Sequence, residues 1–570
     1  MPETGLQESA RHGSVSVALP DGYGWRRTDR GNSRIFGKGD LSEAELARLA
    51  SLLDAPGTSL EDIRRALTET GGFFALIVET PGRVLCCVDR IRSTPLIWHA
   101  TDNGAVTVAQ CADDLFDAEP EARTGRDAGQ ALAVAMAGFT IGEQTLYRDC
   151  KALLPGQFLL VDRTGDGPAS LSTDAYHRYE PWRPQPESDE SDDTACDSLA
   201  ALTLEILEDT IRKADGRPIL APLSAGLDSR LVVSGLKHLG HENVICFAYG
   251  LAGNREAEAS RAIAAKLGYK WAFTPYDNAT MAKIFASDDY RSFMRHADSL
   301  TSIHFPQDYP AITALMEKGF LPPEGMVVNG QSGDFIAGNH IPKSLRKPEG
   351  QGLKDVIDAL LAKHFTQWKF LNASEYEQRI AQCLEQEIAE LAADEAVTLD
   401  EANPYGLYEV SEFVDRQSKY VVNGQRAYDY LGLSWDLPLW HDRYLDFWER
   451  QPLHRKAGQA LYRHMLFEQN WGDVWRDIPV NATRLRPAWL RPVRFALKCA
   501  HAPLGRESWH RFETRYLAYH MSALCGYAVR TWREVAADKR GPRTALSFHI
   551  EDYLTHHGID LDSVAAMSLS

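Results

Sequence analysis

Apolar and polar residues alternate along the chain in patterns that predict strands and helices in a repeating order after residue 194. From Thr194 to Lys213, leucine and isoleucine recur at three- and four-residue spacing, which predicts an amphipathic helix. A short apolar strand ending at Leu223 follows and leads through a glycine turn into another helix. The same order continues with a strand over 244–250, a helix over 255–267 and a strand over 326–330. Strands that alternate with helices predict an α/β fold with a doubly wound parallel sheet.

The pattern is different before residue 181. Short alternating strands and turns there predict a β-rich, layered α+β domain. Three prolines and an acidic, serine-rich run then predict an extended, solvated linker over 181–193. We therefore expect five segments: an N-terminal extension over 1–33, the layered domain over 34–180, the linker over 181–193, the parallel-sheet domain over 194–490 and a helical C-terminal extension over 491–570.

Composition narrows the range of functions. The 570 residues carry a net charge of −18, which argues against nucleic acid as a partner because phosphate binding needs clustered lysine and arginine. Nine scattered cysteines with no Cys-x-x-Cys pair predict neither a metal cluster nor a disulfide framework. The sequence has no apolar signal core and no uninterrupted run of about twenty apolar residues. We therefore expect a cytoplasmic protein for which a membrane is not a partner.

The turn after the first strand of the parallel-sheet domain carries the clearest chemistry. Its residues, Ser224-Ala-Gly226-Leu-Asp228-Ser229, bring two hydroxyls and a carboxylate to the start of a helix. A helix N-terminus offers unpaired N–H groups and a positive dipole end, which suit a polyphosphate, and an aspartate can hold Mg²⁺. The turn lacks the lysine of a Walker loop. An ordinary strand–turn–helix with a serine cap would use the same residues, so other segments of the sequence are needed to distinguish the two interpretations.

The string Ser-x-Gly-Leu-Asp-Ser resembles the pyrophosphate loop of ATP pyrophosphatases that adenylate their substrates. Two further segments narrow the resemblance to the asparagine synthetase family. They are the strand end at Tyr249 and the run Asn329-Gly330-Gln331-Ser-Gly-Asp334, which is similar to the family's Gly-Glu-Gly-x-Asp-Glu segment. The resemblance implies ATP and Mg²⁺ as cofactors, with Mg²⁺ on Asp228 and Asp334. It implies that ATP is bound by Leu223, Ser224, Gly226, Leu227, Asp228, Ser229, Tyr249, Asn329 and Gly330.

The first part of the chain resembles the same family independently. Residues 71–79, 89–98 and 145–157 are similar to segments of the family's N-terminal glutamine amidotransferase domain, an Ntn-hydrolase-like α+β sandwich. Either Arg92 or Ser93 stands where the family has glycine. The nucleophile of that domain is a cysteine at the mature N-terminus, where the α-amino group acts as base. This sequence begins with Met1-Pro2 and has no cysteine before Cys86, so we expect a degenerate glutaminase-like domain.

The synthetase part departs from the family at two catalytic positions. Gln331 stands where the family usually has a glutamate that acts as a base or orients the amine, and glutamine takes no proton at neutral pH. A lysine that the family has near the end of the domain is missing, and Arg476 and Arg484 are the nearest cations that could neutralise a departing pyrophosphate. The catalytic candidates are therefore Asp228, Asp334, Gln331 and Arg476.

A further segment matches a helix of the family that carries basic residues. Arg416, Lys419 and Arg426 recur there at helical spacing. Two interpretations stay open at this point. The three residues meet an anionic substrate or the adenylate, or they form a solvated basic face that bridges to nearby acids.

Taken together, these features predict an ATP-dependent carbon–nitrogen ligase. It would adenylate a small-molecule or peptide carboxylate, release pyrophosphate, and form an amide as AMP leaves. The nitrogen would come from ammonia or a substrate amine, and a separate glutaminase is one source of ammonia. The product stays open among asparagine, a ring closed as in β-lactam or lasso-peptide synthesis, and an amidated uronic acid of a polysaccharide. A nucleotide-binding pseudoenzyme is the rival interpretation, and a homodimer stays open as the assembly.

Overall fold

The computed structural model describes residues 15–102, 104–164, 169–184, 190–347, 351–394, 396–480, 489–517, 520 and 530–569. The chain divides into two compact units. The first consists of Met1–Gln130, Thr140–Arg178 and Arg295–Ser302, and the second of Ala131–Phe139, Tyr179–Met294 and Ile303–Ser570.

The described strands of the first unit form two sheets. The larger sheet is antiparallel, in the order β10-β9-β5-β4-β3-β2. Its strands are β2 (Arg26–Arg30), β3 (Ser33–Gly39), β4 (Phe74–Glu79), β5 (Arg83–Val88), β9 (Gln157–Asp162) and β10 (Ser170–Ala175). The smaller sheet has the order β1-β7-β6-β8, in which β1 runs parallel to β7. Its strands are β1 (Val15–Ala18), β6 (Ile97–Ala100), β7 (Val106–Ala109) and β8 (Cys150–Ala152).

Both faces of the larger sheet are covered. Helices α1 (Glu43–Asp54) and α2 (Leu60–Thr68) pack their apolar sides against one face, where Leu76 lies. The opposite face, where Ile77 lies, packs against valines of the smaller sheet. Because both sides of β4 meet apolar partners, its Phe-Ala-Leu-Ile-Val run is buried throughout. With α3 (Ala112–Ala118) against the smaller sheet, the unit is an α+β sandwich.

The predicted boundary at residue 34 differs from the structure. Strands β1 and β2 both precede it, and they pair with β7 and β3 in the two sheets. The sequence did not predict β2 because Arg-Arg-Thr-Asp-Arg has no apolar alternation. Within the predicted linker, residues 185–189 lie outside the described residues. Helix α5 already begins at Asp192, where the Ser191 side chain accepts the Thr194 N–H.

The second unit contains a parallel sheet in the order β13-β12-β11-β14-β15. Its strands are β11 (Ile219–Pro222), β12 (Val244–Gly250), β13 (Lys270–Pro275), β14 (Met326–Val328) and β15 (Ser434–Asp436). The order reverses between β11 and β14, which is the arrangement of a doubly wound sheet. The predicted α/β fold with a parallel sheet is therefore confirmed.

Helices surround this sheet and continue to the end of the described chain. Those up to residue 391 are α5 (Asp192–Ala214), α6 (Asp228–His238), α7 (Arg255–Leu267), α8 (Asn278–Phe285), α9 (Asp288–Ala297), α10 (Tyr309–Glu317), α11 (Gly333–Ile336), α12 (Leu353–His364) and α13 (Ser374–Leu391). Those after it are α14 (Pro404–Glu412), a π-helix (Phe413–Val421), α15 (Arg426–Tyr430), α16 (Asp442–Glu449), α17 (Leu453–Lys456), α18 (Ala460–Gln469), α19 (Leu490–His501), α20 (Gly505–Tyr516), α21 (Trp532–Ala537), α22 (Leu546–His556) and α23 (Leu561–Leu569). Helix α4 (Ala128–Ala137), like α9, spans a boundary between the units in the sequence. Among the described residues, no helix is both long enough and apolar enough to cross a membrane.

Candidate active site

A cavity lies where the order of the parallel sheet reverses. Strands β12 and β13 extend from one side of β11, and β14 and β15 extend from the other. At such a point the connections that leave neighbouring strands diverge, and a crevice opens at the carboxyl ends of the strands. Residues that follow β11 and β14, together with the end of β12, line a cavity of about 280 Å³. In open α/β sheets this is the usual position of a ligand site.

The loop between β11 and α6 is held by its own side chains. The Ser224 N–H donates to Ser229 Oγ at 3.0 Å, and the Gly226 N–H donates to Ser224 Oγ at 3.1 Å. The two serine hydroxyls are 3.1 Å apart and line the cavity. Leu227, the N-cap residue of α6, makes no side-chain capping bond. The start of α6 therefore suits an anion, because the positive end of the helix dipole stabilises negative charge.

Two glycines allow the segment after β14 to lie directly against the start of α6. A Cβ at Gly330 would be 2.7 Å from the backbone of Asp228 and Ser229. A Cβ at Gly333 would be 2.8 Å from Asp228 Cγ. Both distances are shorter than atoms tolerate in a packed interior, so glycine is needed at each position. As a result, the Asp334 N–H reaches Asp228 Oδ2 at 3.0 Å.

Asp228 and Asp334 form an acidic pair with opposite pKa shifts. Burial raises the pKa of Asp228 to about 8, and the nearby Asp334 charge adds to this, although the Tyr462 hydroxyl donates to Asp228 Oδ1 at 3.0 Å. Burial acts in the same direction on Asp334, but His340 at 3.1 Å outweighs it and lowers the pKa of Asp334. Two adjacent carboxylates repel each other when both are ionised, and a bound cation removes that repulsion.

The donor set fits Mg²⁺ held together with a nucleotide. Among the described residues, no group of three or more His, Cys, Asp or Glu side chains is placed to hold a metal ion. Mg²⁺ in nucleotide sites is bound by one or two carboxylates, with phosphate oxygens and waters completing the coordination. Asp228 and Asp334 supply such a pair, and the Ser224–Ser229 loop lies beside it for the phosphates.

His340 connects this pair to a buried carboxylate behind it. Nδ1 of His340 hydrogen bonds to Glu412, and Nε2 lies 3.1 Å from Asp334 Oδ2. Lys363 Nζ is 3.3 Å from Glu412, and the Tyr408 hydroxyl donates to it at 2.7 Å. Burial alone would lower the pKa of His340, but the two carboxylates outweigh it and raise the pKa to about 9. A charged His340 therefore orients Asp334 at neutral pH.

Most of the site residues predicted from the sequence lie around the cavity. Those that line it are Leu223, Ser224, Gly226, Leu227, Asp228, Ser229, Tyr249, Asn329, Gly330 and Gln331. Asp334 joins them through its contact with Asp228. Their roles toward ATP and Mg²⁺ stay predictions. Residues that also line the cavity, and that the sequence did not predict, are Pro222, Phe247, Ala248, Glu256, Ala257, Phe305, Gln307, Asp308 and Ser332.

Asp308 brings a buried carboxylate to the cavity. Its two oxygens accept hydrogen bonds from the Tyr249 hydroxyl and, at 2.5 Å, from the Tyr428 hydroxyl. The Asn329 amide donates to the Tyr428 hydroxyl at 2.9 Å. Burial raises the pKa of Asp308, although both tyrosines act to lower it. No local sequence signal marks Asp308, because it precedes helix α10 and its partners come from distant elements.

Both the nitrogen and the oxygen of the Gln331 carboxamide form hydrogen bonds. Its Nε2 donates to the Val421 carbonyl at 2.5 Å, and its Oε1 accepts from Gln425 Nε2 at 2.8 Å. The hydroxyl of the next residue, Ser332, donates to Gln417 of the π-helix at 2.8 Å. Gln331 therefore lines the cavity and also bridges to the π-helix and the turn after it. π-helical segments in other proteins are frequent at functional sites.

The structure does not bring Arg476 to the cavity wall. Its exposed guanidinium donates to the Phe467 carbonyl at 3.3 Å, so its action on pyrophosphate stays a prediction. Arg484 lies outside the described residues. A cation that the sequence analysis missed, Arg230, is buried behind the loop and donates to the Ala225 carbonyl at 3.0 Å. Arg230 also donates to the carbonyls of Val474, Ile478 and Pro479.

The basic residues after α14 pair with acids of the chain. Lys419 lies 2.6 Å from Asp415, and Arg426 pairs with Asp429. Arg416 is 3.7 Å from Glu412. These cations therefore meet nearby acids, but Lys419 and Arg426 are buried, so the face that they form is not solvated. A contact of these residues with an anionic substrate or the adenylate stays a prediction.

Comparison with known proteins identifies the family of the domain that carries this site. Residues 203–466 match the family model described as asparagine synthase. This range contains the parallel sheet, the cavity and the acidic pair. The class of fold and site in this range is therefore that of an asparagine synthase domain. This match agrees with the resemblance to the asparagine synthetase family that the sequence motifs predicted for the same segment.

Comparison with solved structures gives weaker likenesses. One is the allosteric regulatory enzyme of purine biosynthesis, with 12% identity, a TM-score of 0.17, and coverage of 43% of this chain and 61% of that chain. Another is glutamine phosphoribosylpyrophosphate amidotransferase from B. subtilis in complex with ADP and GMP, with 12% identity, a TM-score of 0.17, and coverage of 53% and 63%. The match spans less than two thirds of either structure, and similarity this low carries no argument about function. A search of curated proteins found no match.

Proposed function

We propose that this chain adenylates a substrate carboxylate with ATP and Mg²⁺ and then joins the activated acyl group to ammonia or an amine. A carboxylate oxygen is a poor leaving group, and a mixed anhydride with AMP makes amide formation accessible. Pyrophosphate would leave in the first step and AMP in the second. The asparagine synthase domain over 203–466 supports the general class of reaction.

The observation that carries the proposal is the acidic pair at the cavity. The Asp334 N–H donates to the Asp228 carboxylate at 3.0 Å, next to a loop whose two serine hydroxyls line the cavity and next to a helix N-terminus. A bound Mg²⁺ would neutralise phosphate charge as pyrophosphate departs. The chain's own contribution would be positioning. Ser224 and Ser229 would donate to phosphate oxygens, and His340 would hold the Asp334 carboxylate in place.

We propose further that the first unit is an Ntn-hydrolase-like domain without its own glutaminase nucleophile. Its two-sheet sandwich supports the first part of this statement. The cysteines in the described part of this unit support the second part, the lack of a glutaminase nucleophile. Burial raises the pKa of Cys86, Cys87 and Cys111, as well as that of Cys150, so these thiols stay protonated and unreactive. Ammonia or a substrate amine would then enter without glutamine hydrolysis by the described part of this unit.

ATP–pyrophosphate exchange tests the proposal and identifies the carboxylate substrate in the same assay. The purified chain would be incubated with ATP, Mg²⁺, labelled pyrophosphate and a panel of carboxylates that includes aspartate, peptides and uronic acids. Carboxylate-dependent exchange that disappears in Asp228→Asn is the expected result. ATP binding without exchange for any carboxylate would favour the pseudoenzyme interpretation instead.

A further inference from the structure

Helix α19 (Leu490–His501) is apolar on two sides. One side packs against α20, where Arg494 pairs with Glu513 at 2.7 Å and His501 packs against Trp509. Leu490 lies on the same side and is buried. A surface helix packed in this way normally turns charged and polar residues to solvent on its other side.

The solvent side of α19 is apolar instead. Phe495 is 70% exposed and Trp489 is 65% exposed, and both lie away from the α20 contact. Val493, Ala496 and Ala500 follow Trp489 at four-, three- and four-residue intervals, so they continue the exposed row of Trp489, and Phe495 lies about 120° from that row around the helix. Of the eight large hydrophobic residues that are exposed in the described chain, six lie between 489 and 532: Trp489, Val493, Phe495, Leu504, Tyr516 and Trp532.

The charge of this segment is opposite to that of the chain. Residues 489–517 contain six arginines and lysines and two glutamates, a net charge of +4, whereas the whole chain carries −18. Lys498 is exposed beside Phe495 on the wheel of α19, and Arg506 is exposed at the start of α20. Exposed aromatic residues next to basic side chains are the composition of a helix that lies in the plane of a membrane surface.

We propose that the hairpin of α19 and α20 docks on an anionic lipid surface. Trp489, Phe495 and Leu504 would enter the boundary between headgroups and acyl chains, and Lys498 and Arg506 would meet lipid phosphates. Because the rest of the chain is acidic, an anionic surface repels it and favours contact through this segment. The inference departs from the sequence-based expectation that no membrane is a partner, which rested on the lack of a spanning segment. It does not depend on the proposed ligase activity.

A second copy of the chain fits this surface less well. A stable protein interface uses roughly 20–30 residues a side. The exposed apolar row on α19 spans twelve residues, about 18 Å of helix, and offers only a narrow stripe of side chains. Insertion of two or three such side chains, aided by basic residues, is enough for reversible membrane binding.

Vesicle flotation with the full chain tests the proposal. We expect the protein to float with vesicles of phosphatidylcholine and phosphatidylglycerol, and to float several-fold less with phosphatidylcholine alone or in high salt. Phe495→Asp should reduce binding about tenfold or more because it removes a buried ring and adds repulsion. Lys498→Glu should reduce it about fivefold or more.

Leu60→Asp is the matched control, because Leu60 is an exposed leucine on a helix of the first unit. It should float like the wild type. The thermal midpoint without vesicles should be equal in all variants, which shows that they are folded. Wild-type protein that stays unbound with anionic vesicles would overturn the proposal, as would Phe495→Asp that floats normally. Light scattering that shows a wild-type dimer, lost in Phe495→Asp, with no flotation of either protein, would assign this surface to a second copy.

Discussion

At the scale of single residues, the acidic pair has the clearest consequences. Asp228 is held by the Tyr462 hydroxyl and the Asp334 N–H, and burial raises its pKa to about 8. Replacing it by asparagine keeps the size and removes the charge. We expect Asp228→Asn to lower pyrophosphate exchange at least about 100-fold, because the metal loses a ligand. The thermal midpoint without ligands should stay equal or rise. Near-normal exchange in this variant would refute the metal assignment.

The raised pKa of Asp228 also predicts a pH dependence. In the folded protein the carboxyl binds a proton up to about pH 8, whereas in the unfolded chain it is ionised above about pH 4. Its contribution to stability is therefore complete at low pH and is lost as pH rises toward 8. Without ligands, the thermal midpoint of the wild type should fall relative to that of Asp228→Asn over this range.

Metal binding should reverse this effect, because Mg²⁺ binds the ionised carboxylate. At pH 7 we expect Mg²⁺–ATP binding to release protons. Calorimetry in buffers of different ionisation enthalpy measures the number released. The release should disappear in Asp228→Asn. Equal heats in all buffers would mean that Asp228 is already ionised before the metal arrives.

The structure adds two hydrogen bonds to Gln331, whose role toward the substrate stays a prediction. Its amide joins the Val421 carbonyl and Gln425, so a glutamate there would face a carbonyl oxygen without a proton to donate. We expect Gln331→Glu to lower the thermal midpoint and the rate of amide formation more than the rate of pyrophosphate exchange. Gln331→Met, which also loses the bonds but adds no charge, is the control. A variant with unchanged stability and rates would show that these bonds do not support the site.

Arg92 shows what the sequence could and could not predict about a single residue. The resemblance left open whether Arg92 or Ser93 takes the family's glycine position. Arg92 has a φ of +58°, the left-handed conformation that favours glycine. Its buried guanidinium donates to the Leu153 carbonyl at 3.0 Å, a bond that glycine could not make. The motif located the turn, and only the backbone angle distinguished the two residues.

At the scale of elements, Arg230 ties the loop after β11 to the segment over 474–479. It is buried, and its donors reach four backbone carbonyls without a carboxylate partner. Removing it leaves those carbonyls unsatisfied, which costs about 3 kcal/mol or more. We expect Arg230→Ala to lower the free energy of unfolding by this amount and to weaken ATP binding. Arg230→Lys should recover only part of both, since an ammonium cannot span the same carbonyls.

The matched control is Arg217→Ala, which removes an arginine that bonds to the carbonyls of Ala214 and Lys213 at the other end of β11. It should affect stability and leave ATP binding unchanged. ATP binding by Arg230→Ala at wild-type affinity would show that the loop keeps its shape without this tie.

Elements with strong periodicity were predicted well. The sequence placed helices over 194–213 and 255–267, and the structure has them at Asp192–Ala214 and Arg255–Leu267. A parallel strand covered on both faces is a continuous apolar run, which made β12 visible. The sequence missed the polar edge strand β2 and the π form of the helix over Phe413–Val421, because both depend on pairing or contacts with distant segments.

At the scale of the whole molecule, amide formation is expected of the second unit, and glutamine hydrolysis is not expected of the first. The described cysteines of the first unit are buried, and burial raises their thiol pKa values. We expect the purified chain to release no glutamate from glutamine, and to form product with ammonium or an amine. Cys86→Ala should leave product formation unchanged. Glutamate release that a thiol-directed reagent abolishes would contradict this prediction.

The sequence by itself determined the family of the domain over 203–466, the alternation of strands and helices, and ten of the nineteen residues that line the cavity. These features follow from local periodicity and short motifs, in which neighbouring residues act together. Only the tertiary structure brought Asp308 to Tyr249 and Tyr428, His340 to Glu412, and Arg230 to the loop. The physical reason is that burial, pairing and pKa shifts arise from groups that are far apart in the chain. No local pattern records which buried charge will meet which partner.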